Sequence, residues 1–201
     1  GIYAIDVVAM DRKKIQTKAS DDFEVYVIPG LYDALMSEFK NDMQKWNAHL
    51  DKNSLIFSFR DPNTLFEKGD KKLNKKFQKI LENFFPRYVK VTANKKEYIQ
   101  NIIIEGHSSS ENRMGKNKIE KYKLNKKLSI ARANNVLSYT NKLIDQNVGK
   151  NILWIVKTFE SDGLSSSKLI YNNNGTENKK MSRRVEFRIK NTKSTLNNKD
   201  S

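Results

Sequence analysis

Ile102-Ile103-Ile104-Glu105-Gly106-His107-Ser108-Ser109, followed after a loop by Asn125-Lys126-Lys127-Leu128-Ser129-Ile130-Ala131-Arg132-Ala133, is the stretch that decides the fold. Ile99–Glu105 is a continuous apolar run, short enough to be a buried central strand. A loop from Gly106 to Lys123 follows it. Beyond the loop, Leu124, Leu128, Ala131, Val136, Tyr139 and Leu143 recur largely at steps of three and four, the spacing of a helix with one buried face. A helix beginning near Asn125 offers a capping side chain and unpaired backbone N–H groups that attract an anion. Arg132 lies seven residues on, so it shares a face with Asn125 and Leu128. A guanidinium so placed can grip a carboxylate through two hydrogen bonds.

Working outward, Ser54–Phe59 reads as a strand and Arg60-Asp61-Pro62-Asn63 as a turn. A helix from about Lys71 carries Leu73, Phe77, Ile80, Leu81 and Phe84 on one face and is expected to end before Pro86. Asn151–Phe159 reads as a third strand, and the Ser-, Asn- and Gly-rich stretch Asp162–Lys180 as a loop. Val185, Phe187 and Ile189 alternate with Arg184, Glu186 and Arg188, the pattern of a half-covered last strand. The order strand, helix, strand, helix, strand, strand predicts an α+β two-layer sandwich, with helices on one face of a small mixed four-stranded sheet.

Residues 1–50 read as an N-terminal extension. It has a short apolar start, a strand-like alternation around Phe23, Val25 and Val27 stopped by Pro29-Gly30, and one helix from Leu31 to about His49. That helix carries apolar residues at 31, 35, 36, 39, 43 and 46 and packs on the main domain or on a partner. The main domain is expected over 51–190 and a polar, disordered tail over 191–201.

With 37% hydrophobic residues, including ten Phe, eight Tyr and two Trp, the 201-residue chain can build a core. Thirty-eight Lys and Arg against 23 Asp and Glu give a net charge of +15. Such a field favours an anionic partner: nucleic acid, an acidic membrane surface or a carboxylate-bearing polymer. Lysine is also spread through almost every segment, so a general compositional bias explains the charge equally well. The absence of Cys excludes disulfides and thiol-ligated zinc. No run of 18 apolar residues occurs to span a bilayer. The first residue is Gly1 rather than Met, which raises the expectation of a preceding signal peptide or transmembrane anchor.

Four motifs in order resemble the OmpA-like peptidoglycan-binding family over about residues 54–190. Ser58-Phe59 through Leu65-Phe66 and Leu73 is similar to its opening strand and the segment before its first helix. Ile103-Ile104-Glu105-Gly106-His107 is similar to the strand that ends in Gly-His. Asn125, Leu128, Ser129, Arg132 and Ala133 resemble its Asn-x-x-Leu-Ser-x-x-Arg-Ala helix, and Arg183-Arg184-Val185-Glu186-Phe187 its closing strand. The resemblance implies a non-enzymatic wall anchor without cofactor or metal. Arg132 would hold the carboxylate of a diaminopimelate stem peptide, and the loop after Gly106-His107 its ammonium. Ser108, Ser109, Glu111, Asn125, Leu128, Arg132, Arg183 and Arg184 are the candidate binding residues. The family usually has a carboxylate about where Ser109 stands. A Ser hydroxyl accepts a hydrogen bond without charge, and the lost charge-assisted bond is worth roughly 1.5–3 kcal/mol. Glu111 is the expected replacement.

Within that family, an N-terminal extension suits the B subunit of flagellar-type stators and their anti-phage relatives of the Zorya type. It implies a periplasmic domain of a single-pass inner-membrane protein, a homodimer and a motor-type membrane partner. The alternatives are an outer-membrane or periplasmic family member that has lost diaminopimelate recognition and serves as a structural or dimerisation domain, and a basic nucleic-acid-binding module. For the last, Phe84-Phe85-Pro86-Arg87-Tyr88 could stack bases, although Phe84 also completes the helix stripe and is better explained as core. His107, the loop serines and Asp162 could be drawn as a hydrolase triad, but no nucleophile-elbow pattern accompanies them. The two histidines, His49 and His107, have no metal-ligand spacing.

Overall fold

The computed structural model describes residues 2–10, 16–24, 28–67, 70–112, 114–147 and 151–192. Strands β1 (Ile2–Met10) and β2 (Gln16–Glu24) form an antiparallel two-stranded sheet in which Ile2 faces Glu24 and Met10 faces Gln16. The alternation expected around Phe23 and Val27 thus falls partly in β2, and residues 25–27 lie outside the described residues, as does the tail from 193 onward.

The second sheet has five strands in the order β3-β4-β7-β5-β6. These are β3 (Ala48–Leu50), β4 (Phe57–Phe59), β5 (Ile99–Gly106), β6 (Phe159–Gly163) and β7 (Val185–Asn191). β5 lies inside the sheet between β7 and β6 and runs parallel to β6; the other pairings are antiparallel. The expected mixed α+β sandwich is present, with β3 as a fifth strand that the sequence pattern did not single out. Three residues are too few to show a period of two.

One helical layer covers the inner face. α1 (Leu31–Trp46) buries Leu31, Leu35, Phe39 and Trp46, a one-sided helical stripe. Those side chains join the same hydrophobic cluster as the sheet residues Phe57, Phe59, Ile104 and Phe187. A four-residue turn of helix, α2 (Pro62–Leu65), precedes α3 (Lys75–Ala93), which Asn74 caps by accepting from the Lys76 N–H at 2.9 Å. α3 does not stop before Pro86 but runs through it. A proline inside a helix costs about 3 kcal/mol. Here the stripe continues past it through fully buried Tyr88, Val89 and Thr92, and Arg87 grips α1 through Glu38 at 2.6 Å and Asp42 at 2.8 Å. The carbonyl that the proline leaves unbonded belongs to exposed Glu82, where water can serve it.

Asn151–Phe159 is not a strand. α5 (Ile152–Thr158) buries Ile155 and Thr158, and sheet pairing begins only where Phe159 meets Ile102. A β-branched run reads as strand locally, but the pairing partner decides its conformation. A last helical turn, α6 (Lys179–Ser182), leads into β7.

Candidate functional site

α4 (Lys118–Asn147) starts seven residues before Asn125. Its start is a near capping box: the Glu120 N–H donates to Asn117 Oδ1 at 2.9 Å, and Glu120 Oε2 accepts from the Lys116 N–H at 2.8 Å. Asn125 is therefore not the helix cap the sequence suggested, and the helix does not expose free N–H groups there. Asn117-x-x-Glu120 was the signal that could have placed the start correctly. With α4 beginning at Lys118, Lys121, Asn125, Leu128 and Arg132 fall on one face at steps of four, three and four.

That face forms one wall of a groove of about 640 Å³. The loop after β5 forms the other, with Ser108, Ser109, Glu111, Asn112, Met114 and Gly115, and Arg183 closes one side. Two glycines set the distance between α4 and the sheet. A Cβ on Gly106 would lie 2.3 Å from the Ser129 carbonyl oxygen, and one on Gly163 would lie 2.1 Å from the Ile130 nitrogen. Only bare backbone lets α4 lie so close on the ends of β5 and β6. The Gly in Gly-His is thus a packing requirement.

Arg132 sits in this groove only 9% exposed. Its Nε donates to the Asp70 carbonyl at 2.9 Å, and its guanidinium lies 4.6 Å from the centre of the Phe66 ring. Among the described residues it has no carboxylate partner. Burial, with neighbouring Arg183 adding to it, lowers its pKa to about 10, so it stays charged at neutral pH while poorly compensated. An entering anion would relieve both effects.

Asn125 clamps the loop. Its Nδ2 donates to the carbonyls of Ser109 at 3.0 Å and Glu111 at 3.2 Å, and its Oδ1 accepts from Asn112 Nδ2 at 3.1 Å. Ser108 and Ser109 are buried at the groove, with the Ser108 N–H donating to the Ser165 carbonyl at 2.9 Å. The Glu111 carboxylate reaches the groove edge and pairs with Lys179 at 2.5 Å. Arg183 donates to the Lys179 carbonyl at 3.0 Å and lines the groove. Seven of the sequence-predicted residues thus meet in one groove.

Arg184 is the exception. It is buried away from the groove, bonded to Glu186 at 2.6 Å and to the Lys168 and Ser182 carbonyls. It belongs to a buried ionic cluster at the ends of β5 and β7, where Glu105 stands opposite Glu186. His107 Nε2 lies 3.1 Å from Glu186 and 3.5 Å from Glu105, close to both carboxylates but without the alignment of a hydrogen bond. Arg188 reaches Glu105 at 2.9 Å. Glu105, His107 and Glu186 present ligand atoms within 4.8 Å of one another. Two guanidiniums already balance the two carboxylates, so ion pairs account for the cluster. His107 is held there, 2% exposed, while Asp162 pairs with Lys126; the triad drawn from the sequence is not assembled. Phe84, Phe85 and Tyr88 are wholly buried and offer no surface for stacking bases. No helix among the described residues is long and apolar enough to cross a membrane.

A mixed sheet with an interior strand ending in Gly-His, packed under a helix that carries Asn, Leu and Arg toward the adjoining loop, is the α+β arrangement of the OmpA-like fold. Solved structures with this fold include the cell wall anchor of the type VI secretion system from Pseudomonas aeruginosa, 19% identical with a TM-score of 0.53 over 79% of this chain and 97% of that one. A MotB-like protein from Desulfovibrio vulgaris is 20% identical, also at 0.53, over 85% and 94%. The periplasmic domain of Helicobacter pylori MotB is 17% identical at 0.50, over 74% and 81%. No family model matches the chain. The Zorya protein ZorB of Escherichia coli is 38% identical over 159 residues, which span 79% of this chain and 67% of that protein. The chain belongs to the ZorB family.

Proposed function

We propose that this domain is a non-covalent peptidoglycan anchor that ties a stator-like B subunit of the inner membrane to the cell wall. The buried, poorly compensated guanidinium of Arg132 at the groove carries this reading. A stem-peptide carboxylate, that of diaminopimelate in walls of that type, would supply the missing negative charge through two parallel hydrogen bonds. Leu128 supplies an apolar edge, and Asn125 holds the loop in place. Glu111 stands in for the absent acid at Ser109 and meets the ligand's ammonium, in competition with Lys179. Membership in the ZorB family and the fold shared with wall-anchor and MotB domains support the assignment. Periplasmic location, homodimerisation and a motor-type membrane partner belong to the same proposal by analogy with those relatives.

Co-sedimentation with purified sacculi tests it. The wild-type domain should pellet with the wall and Arg132→Ala should stay in solution. Glu111→Ala should weaken binding to a diaminopimelate muropeptide; unchanged affinity would remove Glu111 from the site. Sedimentation of Arg132→Ala equal to wild type would overturn the assignment.

A further inference from the structure

We infer that Lys121 is a second anion-binding point in the same groove, so that the domain selects ligands carrying two carboxylates. This rests on the wall-binding reading and adds a specificity determinant to it. The extra turns of α4 ahead of Asn125 carry Lys121 onto the face that holds Asn125, Leu128 and Arg132, and its side chain lines the groove. Eleven residues at 1.5 Å each place the Lys121 and Arg132 Cα atoms about 16 Å apart along the helix. Both side chains are long enough to narrow that gap. The two cations thus fit carboxylates roughly 7–13 Å apart, the span of two to four extended residues at roughly 3.3 Å each, which a γ-linked glutamate and the far end of a diaminopimelate can also cover.

The position of Lys121 is built. Gly115 packs onto it so closely that a Cβ there would lie 2.6 Å from Lys121 Cγ and 2.7 Å from its backbone nitrogen. The loop wall therefore rests on the base of this side chain. Among the described residues no carboxylate is paired with Lys121, and the one acid lining the groove, Glu111, is bridged to Lys179. Lys121, Arg132 and Arg183 leave the groove cationic along its length. A stem peptide offers several free carboxylates, from its γ-linked glutamate and from diaminopimelate, which suits two anchoring points.

Calorimetric titration with the free-acid tripeptide alanyl-γ-D-glutamyl-diaminopimelate and with its mono-amides tests the inference. Lys121→Met should weaken binding of the free acid roughly three- to tenfold, and Lys121→Arg should restore it. One mono-amide should bind the wild type more weakly by a similar factor yet bind Lys121→Met no worse than the free acid does. Unchanged affinity of Lys121→Met, or an equal loss on every probe, would overturn the role of Lys121 while leaving wall binding intact. Failure of the wild type to bind any of these peptides, or tight binding by Arg132→Ala, would overturn the wall-binding reading and this inference with it.

Discussion

Arg132 and Glu186 are both buried ions, and what surrounds each decides its use. Glu186 is fully answered. Burial alone would raise its pKa, but His107 and Arg184 outweigh that and hold it at about 2. Glu105 is lowered in the same way, burial being overcome by His107 and Arg188. A carboxylate lowered in the folded state contributes stability above its unfolded value near 4.5, and this is lost as pH falls below it. The urea midpoint should therefore drop between about pH 5 and pH 2. Glu186→Gln should reduce that acid-side drop while lowering stability at neutral pH by about 3 kcal/mol, since it leaves Arg184 buried with a weaker partner. A midpoint insensitive to acid in the wild type would contradict the ion-pair assignment. Among the described residues Arg132 is paired with no carboxylate, which is why it is the binding candidate. Its face with Asn125 and Leu128 was legible because helical period is local. The Glu105–His107–Glu186 cluster was not, because it exists only once β5 and β7 are in register.

Among the elements, α4 does most to shape the site, and the sheet holds it by direct contact and by hydrogen bonds. Lys126 reaches the Gly163 carbonyl, Ser129 Oγ accepts from the Ser165 N–H at 3.0 Å, and Ser165 Oγ donates to the Tyr122 carbonyl at 2.9 Å. Gly163→Ala would push a methyl group into the helix backbone. It should cost about 1–3 kcal/mol and weaken sacculus binding by shifting α4 against its loop. Thermal melts together with co-sedimentation check this, and a fully stable, fully binding variant would show that the close approach is dispensable. Reading α4 from its apolar stripe alone placed its start about two turns late, since its first turns are largely polar. Pro86 and the run before Phe159 misled for a related reason: tertiary burial in one case and strand pairing in the other overrode local preference.

For the molecule as a whole, a charge of +15 predicts adsorption to many anionic polymers at low salt. Raising ionic strength to about 0.5 M should strip the part that depends on exposed lysines. A fraction dependent on Arg132 should survive on sacculi, because that cation is largely withdrawn from solvent. If Arg132→Ala and wild type lose binding together along the salt series, the affinity belongs to the general field and not to the groove. α1 also acts at this scale, adding Leu31, Leu35, Phe39 and Trp46 to the common core and Glu38 and Asp42 to the grip on Arg87. Apolar periodicity and four short motifs are properties of neighbours in the chain, and from them came the α+β class, the Gly-His strand end and the Asn-Leu-Arg helix face. Burial, charge balance and close approach depend on residues far apart in sequence. Only the folded chain could show that Arg132 is paired with no carboxylate among the described residues, that Arg184 is committed to Glu186, and that Lys121 lines the groove.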